Sequence, residues 1–232
     1  RVRRMNLKKL VTAAVCTMLM AAVAFTAGCG GEKKSDKKVL KVGMECAYAP
    51  YNWSQTKADG GAVKIAGSNE YAYGYDVMMA KKLADSMGAD LEIHKIEWDG
   101  LAPAVVSGKI DAAIAGMSIT SKRKETVDFT KPYYYATVVA LVKKDSEQAK
   151  AQSVADLKGS VATSQLNTIW YDQIDQVPDV KKLPAIDTVP GMIVALTSGK
   201  CNLIVTDIPT AKAAAFANPE LTVLNFEEGK GF

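Results

Sequence analysis

Two stretches hold residues whose types and spacing suit ligand chemistry. Gly116-Met-Ser-Ile-Thr-Ser-Lys-Arg123 gathers backbone N–H groups, hydroxyls that include Ser118 and Thr120, and a guanidinium in one short span. Such a set suits an anion: arginine grips a carboxylate through two parallel hydrogen bonds, and free amides near a helix start add more. Read more plainly, the same span is a solvated Lys-Arg-Lys run with Thr120 as an N-cap. Asp207 ends the apolar run Leu203-Ile-Val-Thr and can pair with a cation, or equally cap the helix beginning near Pro209. A guanidinium on one wall and a carboxylate on the other would match the two α-substituents of a free amino acid. The aromatic loop Glu45-Cys-Ala-Tyr48-Ala-Pro-Tyr51-Asn-Trp53, together with Tyr75, could wall a side-chain pocket or belong to the core.

These residues need elements to hold them. Val39–Met44 reads as a strand, residues 54–70 as a polar, glycine-rich surface excursion, and Tyr75–Met87 as a helix stopped by Gly88. Strand 90–97, helix 98–106 and strand 110–115 follow, then a long β-branched and aromatic strand over 133–143. A second set alternates helix 153–157, strand 160–164, helix 168–175, strand 180–183, helix 189–198, strand 201–206, helix 208–217 and strand 221–225. Alternation of this kind predicts an α/β architecture with a mostly parallel sheet.

A gapless internal repeat divides it. Ala104-Val-Val-Ser-Gly-Lys-Ile-Asp-Ala-Ala-Ile-Ala-Gly116 aligns with Ala195-Leu-Thr-Ser-Gly-Lys-Cys-Asn-Leu-Ile-Val-Thr-Asp207. Each half reads as helix, Ser-Gly-Lys turn and buried strand, a pattern that convergence alone also produces. As a true repeat it implies two similar lobes, with equivalent strands ending at Gly116 and Asp207. Ligands of open α/β sheets bind at such strand ends.

Composition narrows the chemistry. The 232 residues carry a net charge of +4, but from Val39 onward 20 basic residues face 23 acidic ones, a net of −3. The folded part is mildly acidic, which removes the electrostatic support for nucleic-acid binding. The one histidine, His94, sits on the polar side of an alternating strand, so a His-dependent triad is not indicated. No Cys or His spacing suggests zinc or another metal, and no cofactor is implied.

The N-terminus reads as an address. Met5-Asn-Leu-Lys-Lys9 is a basic start, and Leu10–Phe25 is an uncharged apolar run of 16 residues, short for a membrane span and suited to a signal sequence. Thr26-Ala-Gly-Cys29 resembles a lipobox with Thr where Leu is usual, making Cys29 a lipidation site and a two-chain membrane anchor. Residues 1–28 are then a signal peptide and 29–38 a flexible tether. An ordinary cleaved signal with a chance cysteine is the alternative.

The mature chain resembles the solute-binding proteins of bacterial polar amino acid ABC transporters, the family of lysine/arginine/ornithine-, histidine- and glutamine-binding proteins. The resemblance rests on Tyr-Ala-Pro-Tyr (48–51), Gly-Tyr-Asp (74–76), Trp-Asp-Gly-Leu (98–101), Ser-Gly-Lys-Ile-Asp-Ala (107–112), Ala-Gly-Met-Ser-Ile-Thr-Ser-Lys-Arg (115–123), Asp-Phe-Thr-Lys-Pro-Tyr-Tyr (128–134) and Thr-Asp (206–207). It implies a periplasmic-binding-protein-like type II fold: lobe 1 over 39–136, lobe 2 over 137–226, a ligand cleft between them, and the start of a return to lobe 1 over 227–232. By position it implies that Arg123 clamps the ligand α-carboxylate with Thr168 and the Ser118 amide. It also implies that Asp207 and the Gly116–Ser118 strand end hold the α-ammonium, with Tyr48 and Tyr75 against the side chain. Glu45 falls where binders of basic amino acids place an acid, which favours arginine, lysine or ornithine; a merely solvated acid is the alternative there.

Two departures accompany the resemblance. Gln165-Leu-Asn-Thr168 stands where the family often has Gln-Gly-Thr, which bears on the roles of Gln165 and Thr168. Members also continue past the position of Phe232, implying a fragment. The expected partners are an L-amino acid, a permease with its ATPase, and a membrane reached through the lipid anchor, with the carrier monomeric and non-catalytic. Three readings stay beside it: an extracellular dehydratase of cyclic dienyl acids using Glu45 as acid, a receptor's sensory module, and a surface adhesin.

Overall fold

Val39–Met44 (β1) alternates outward and inward residues over its first half and is buried from Val42 on, as the middle strand of a sheet must be. The computed structural model describes residues 37–232, so the leader, Cys29 and residues 29–36 of the tether lie outside the described residues. Next come β2 (Ala47–Tyr48), β3 (Asn52–Gln55), β4 (Val63–Lys64), β5 (Tyr71–Tyr73), α1 (Tyr75–Met87) and β6 (Asp90–Lys95). Then follow α2 (Leu101–Val106), β7 (Ala112–Ala113), α3 (Ser121–Lys124), β8 (Val138–Lys143), β9 (Val161–Thr163), α4 (Ile169–Gln173) and β10 (Lys181–Lys182). The chain ends with α5 (Val189–Thr197), β11 (Leu203–Asp207), α6 (Ile208–Ala217) and β12 (Leu221–Leu224).

The first lobe is built on the parallel sheet β6-β1-β7, with Val42 opposite both Ile93 and Ala112. An antiparallel sheet, β2-β3-β5-β4, stands beside it and corrects the reading of 54–70 as a plain excursion. Leu40, Val42, Met44, Ile65, Val77, Ile93 and Leu101 share one core, into which α1 packs Val77, Ala80 and Ala84 at helical spacing. Gly88 caps α1 in the left-handed region at φ 61°. At its other end Gly74 sits at φ 128°, and a Cβ there would lie 2.3 Å from the Tyr51 carbonyl oxygen, so only glycine fits.

The second lobe is the five-stranded sheet β10-β9-β11-β8-β12. Its β10, β9 and β11 run parallel, while β8 is antiparallel to both β11 and β12, so this sheet is mixed rather than mostly parallel. Along β8, Val139 and Leu141 enter one core while Ala140 and Val142 enter another on the opposite face. Burial on both faces explains its unbroken apolar run. The strand begins only at Val138: Tyr133–Thr137 is an irregular crossing segment, and Tyr135 is 82% exposed.

The repeat reappears bond for bond. Ser107 and Ser198 each turn a hydroxyl back to the carbonyl three residues earlier, at 3.2 Å in both cases. Gly108 and Gly199 follow at φ 72° and 80°. The amides of Lys109 and Lys200 then return to Ala104 and Ala195 at 3.0 and 2.9 Å. Asp111 and Asn202 each accept a neighbouring strand's amide, from Lys41 and Val161, at 2.8 Å. Each turn thereby delivers a strand, β7 or β11, beside the lobe's other parallel strands.

Candidate functional site

The chain leaving β1 enters the cleft at Glu45 and turns at Cys46, whose φ of 56° is unusual for a residue with a side chain. Glu45 is buried; its Oε2 accepts from Gln165 Nε2 at 3.0 Å, and its Oε1 finds no partner among the described residues. Burial raises this carboxyl to about 7, with Glu97 adding to the shift and the Gln165 amide opposing it. Gln165 also donates to the Asp187 carbonyl at 3.0 Å.

Tyr48, at the end of β2, is buried and stacks on Tyr51 with ring centres 4.8 Å apart. Its hydroxyl donates to Asp207 Oδ2. Burial and the Asp207 charge push that hydroxyl well above its ordinary value, so it remains a donor. Asp207 ends β11 and is fully buried; it caps α6, accepting from the Thr210 amide at 3.0 Å and the Thr210 hydroxyl at 3.1 Å. Gly116 faces the Tyr48 ring: at φ 62°, a Cβ there would lie 2.9 Å from it.

Arg123 is on α3, whose N-cap Thr120 accepts its amide at 3.2 Å, so the capping role foreseen for that threonine is real. The guanidinium donates to the Ser118 carbonyl at 2.7 Å and to the Asn167 carbonyl at 2.8 Å, and stands 5.4 Å from the Trp98 ring centre. Partial burial lowers its pKa from the ordinary arginine value. Thr168 occupies the N-cap position of α4, yet its hydroxyl donates to the Gln165 carbonyl at 2.8 Å.

Tyr48, Gly116, Ser118, Arg123, Gln165 and Thr168 surround one small cavity of about 10 Å³, with Trp98, Ile169 and Trp170. Glu45 and Asp207 join it through Gln165 and Tyr48. Tyr75 does not line it; its hydroxyl donates to the Tyr133 carbonyl at 3.2 Å. A larger cavity of about 350 Å³ shares Tyr48, Gly116, Ser118, Ile169 and Trp170, but its remaining lining is mostly aromatic and apolar, with Lys131 its one charged residue. A third, of about 260 Å³, is lined by Glu97, Trp98, Asp99, Leu166 and Asp187.

Sequence reasoning missed Asn167 and Trp98. Asn167 supplies Arg123 with an acceptor and donates to Asp99 at 2.9 Å, and its φ is 54°. Asparagine tolerates that left-handed conformation, and its place in the Gln-Leu-Asn-Thr turn was the available signal. Cys46 and Cys201 are buried free thiols. Among the described residues no group of His, Cys, Asp and Glu could hold a metal ion, and no helix is long and apolar enough to cross a membrane.

Comparison with known proteins adds to this geometry. The family described as "Bacterial extracellular solute-binding proteins, family 3" matches residues 40–184. A probable histidine-binding protein of Campylobacter jejuni is 31% identical over 195 residues, spanning 83% of this chain and 70% of its own. ABC transporter arginine-binding protein 1 of Escherichia coli is 29% identical over 218 residues, spanning 94% and 78%. Among solved structures, an amino acid ABC transporter substrate-binding protein, AbpA of Streptococcus pneumoniae bound to L-arginine, superposes with a TM-score of 0.69. It is 30% identical, with 82% of this chain and 77% of that one covered.

Proposed function

The chain belongs to the bacterial extracellular solute-binding proteins, family 3, and from that premise we propose that it captures a free L-amino acid with a cationic side chain and delivers it to an ABC importer's permease. One observation carries the cationic preference: Glu45 is a buried carboxylate with an oxygen left unpartnered among the described residues. A ligand cation meeting it would relieve the cost of that burial. Glu97, Asp99 and Asp187, around the neighbouring cavity, add negative potential that draws in such a ligand.

In this reading Arg123 clamps the α-carboxylate, with Thr168 and the Ser118 amide beside it. Asp207 and the Gly116–Ser118 strand end hold the α-ammonium. Three hydrogen bonds already reach the Asp207 carboxylate, from the Thr210 amide, the Thr210 hydroxyl and Tyr48, and a carboxylate offers about four acceptor sites. Tyr48 walls the side chain and Gln165 orients Glu45, while Tyr75, outside the cavity lining, is not part of this set.

A cavity of about 10 Å³ admits no amino acid, so capture requires the lobes to part and then close. Hinges near Tyr134–Val138 and Asn225–Glu228 suit that motion. The carrier works outside the cytoplasm as a monomer, tethered through lipidated Cys29, while an ATPase supplies the transport energy. No catalytic group is required.

A thermal-shift screen against all L-amino acids, followed by calorimetry on Arg123→Ala and Asp207→Ala, tests the reading. Both substitutions should abolish binding while leaving the fold intact. Near-normal affinity in both would refute the site, and preference for acidic or purely apolar ligands would refute the role of Glu45.

A further inference from the structure

The first lobe presents two loops to the cleft, Glu45–Tyr48 and Gly116–Ser118, and both turn through left-handed backbone, at Cys46 (φ 56°) and Gly116 (φ 62°). One buried side chain connects the two turns. The Cys46 amide donates to Asn52 Oδ1 at 2.7 Å, and Asn52 Nδ2 donates to Asp76 Oδ2 at 2.7 Å. From the other side the Gly116 amide donates to the Tyr133 hydroxyl at 3.0 Å, which donates to Asp76 Oδ1 at 2.7 Å. Asn52 and Asp76 are fully buried, and Cys46 nearly so.

The polarity of this chain of hydrogen bonds has one solution. Both ends are backbone N–H groups, which can only donate. Asn52 must therefore turn its oxygen to Cys46 and its NH₂ to Asp76, while Tyr133 accepts from Gly116 and passes its own proton onward. Asp76 receives a donor on each oxygen, a demand met by a carboxylate and not by a carboxamide of the same shape. Burial raises the Asp76 carboxyl to about 6, opposed by the Tyr133 and Asn52 hydrogen bonds, so it is ionised at neutral pH.

We propose that Asp76 is the positioning residue of the ligand site: as the shared acceptor of two converging donor relays, it locks the loops carrying Glu45 and Gly116–Ser118 into one geometry. The ligand-binding consequence rests on the site reading above; the locking of the two turns does not.

The experiment compares the full chain, Asp76→Asn, Asn52→Asp and the exchanged pair Asn52→Asp/Asp76→Asn. The readouts are amide hydrogen exchange at Cys46 and Gly116, and calorimetric titration with L-arginine. Asp76→Asn is nearly isosteric but sets an NH₂ against either the Asn52 amide or the Tyr133 hydroxyl. It should speed exchange at both amides and weaken arginine binding by roughly tenfold or more. In the exchanged pair the new carboxylate accepts from the Cys46 amide and from the NH₂ of the new carboxamide. The carboxamide oxygen accepts from Tyr133, so every donor again has an acceptor. Slow exchange and near-parental affinity should both return.

An Asp76→Asn variant with unchanged exchange, or an exchanged pair that folds without recovering it or fails to fold, overturns the proposal. Should Asp76→Asn itself not fold, the exchanged pair decides alone. Arg123→Ala separates the two readings. If it keeps parental affinity the ligand site is wrong, whatever the exchange data show. If it loses binding while Asp76→Asn keeps it, the positioning role alone fails.

Discussion

Glu45→Gln sets the stability cost of a buried carboxylate against its use. In the folded protein this carboxyl is raised from 4.5 to about 7, chiefly by burial, while in the unfolded chain it titrates near its ordinary value. Between those pH values the folded state binds more protons than the unfolded one, so stability falls as pH rises. The contribution is fully present below about pH 4.5 and lost by the time pH passes about 7. At about 1.4 kcal/mol for each tenfold difference in proton affinity, the interval amounts to at most about 3.5 kcal/mol. Glutamine carries no charge and has no such slope. Part of the gain is offset, because the new amide needs an acceptor where Oε1 has no partner. At pH 8, Glu45→Gln should therefore exceed the parent by roughly 1–3 kcal/mol, and at pH 5 by much less.

Urea denaturation at the two pH values reads this difference, and subtracting parent from variant removes the titration of Asp76. Calorimetry with arginine reads the other side. A ligand cation favours ionised Glu45, so parental affinity should rise from pH 5.5 to 8 with release of a proton, while the variant should bind weakly and keep only the shallower slope that Asp76 contributes. A variant no more stable than the parent at pH 8, or one that keeps the parental pH dependence of arginine binding, refutes the reasoning.

Gly74→Ala should destabilise the protein by about 3 kcal/mol or more, since the added methyl meets the Tyr51 carbonyl in a backbone conformation that L residues avoid. Gly88→Ala, also left-handed but in open space, should lose only about 1 kcal/mol, and equal losses by urea denaturation would sink the steric argument. Tyr48→Phe removes a donor from buried Asp207 and should lower the melting temperature, for a loss of about 1–2 kcal/mol. Arginine should then raise the melting temperature of Tyr48→Phe by more than it raises that of the parent, because the ligand ammonium replaces the missing donor; an equal or smaller rise would contradict the role of Asp207.

Local pattern was enough to read β1 and α1 to their end residues: one alternates, and the other has helical apolar spacing closed by Gly88. The same rules failed on 54–70 because β4 and β5 are two and three residues long and take their identity from cross-strand partners. They failed on 133–137 because a β-branched and aromatic run reads as strand wherever it lies, whereas Tyr133 is held by the hydrogen bonds of its hydroxyl. The donor-rich run 116–123 and the single acid at 207 were visible in residue types alone. Their convergence with Tyr48, Gln165 and Thr168 was not visible there; it came from the family resemblance. Asp76, Asn167 and Trp98 escaped because each acts on a partner far away in sequence, and spacing within a motif carries no record of that.

The hydrogen bonds that cross the cleft bear on selectivity. Tyr48 meets Asp207, Gln165 meets Glu45, and Arg123 meets the Asn167 carbonyl, so strongly polar groups of the two walls satisfy one another. In the proposed site, entry of a ligand exchanges the Arg123 and Glu45 bonds for others of similar strength and adds one to Asp207, so the heat of capture should be small. Discrimination follows from the exchange. In the proposed site, an amine without a carboxylate parts Arg123 from its carbonyl partners and returns nothing, and an acid without an ammonium leaves the Asp207 charge unmatched. At about 1–3 kcal/mol for each stranded group, such half-matches are rejected by roughly ten- to a hundredfold each.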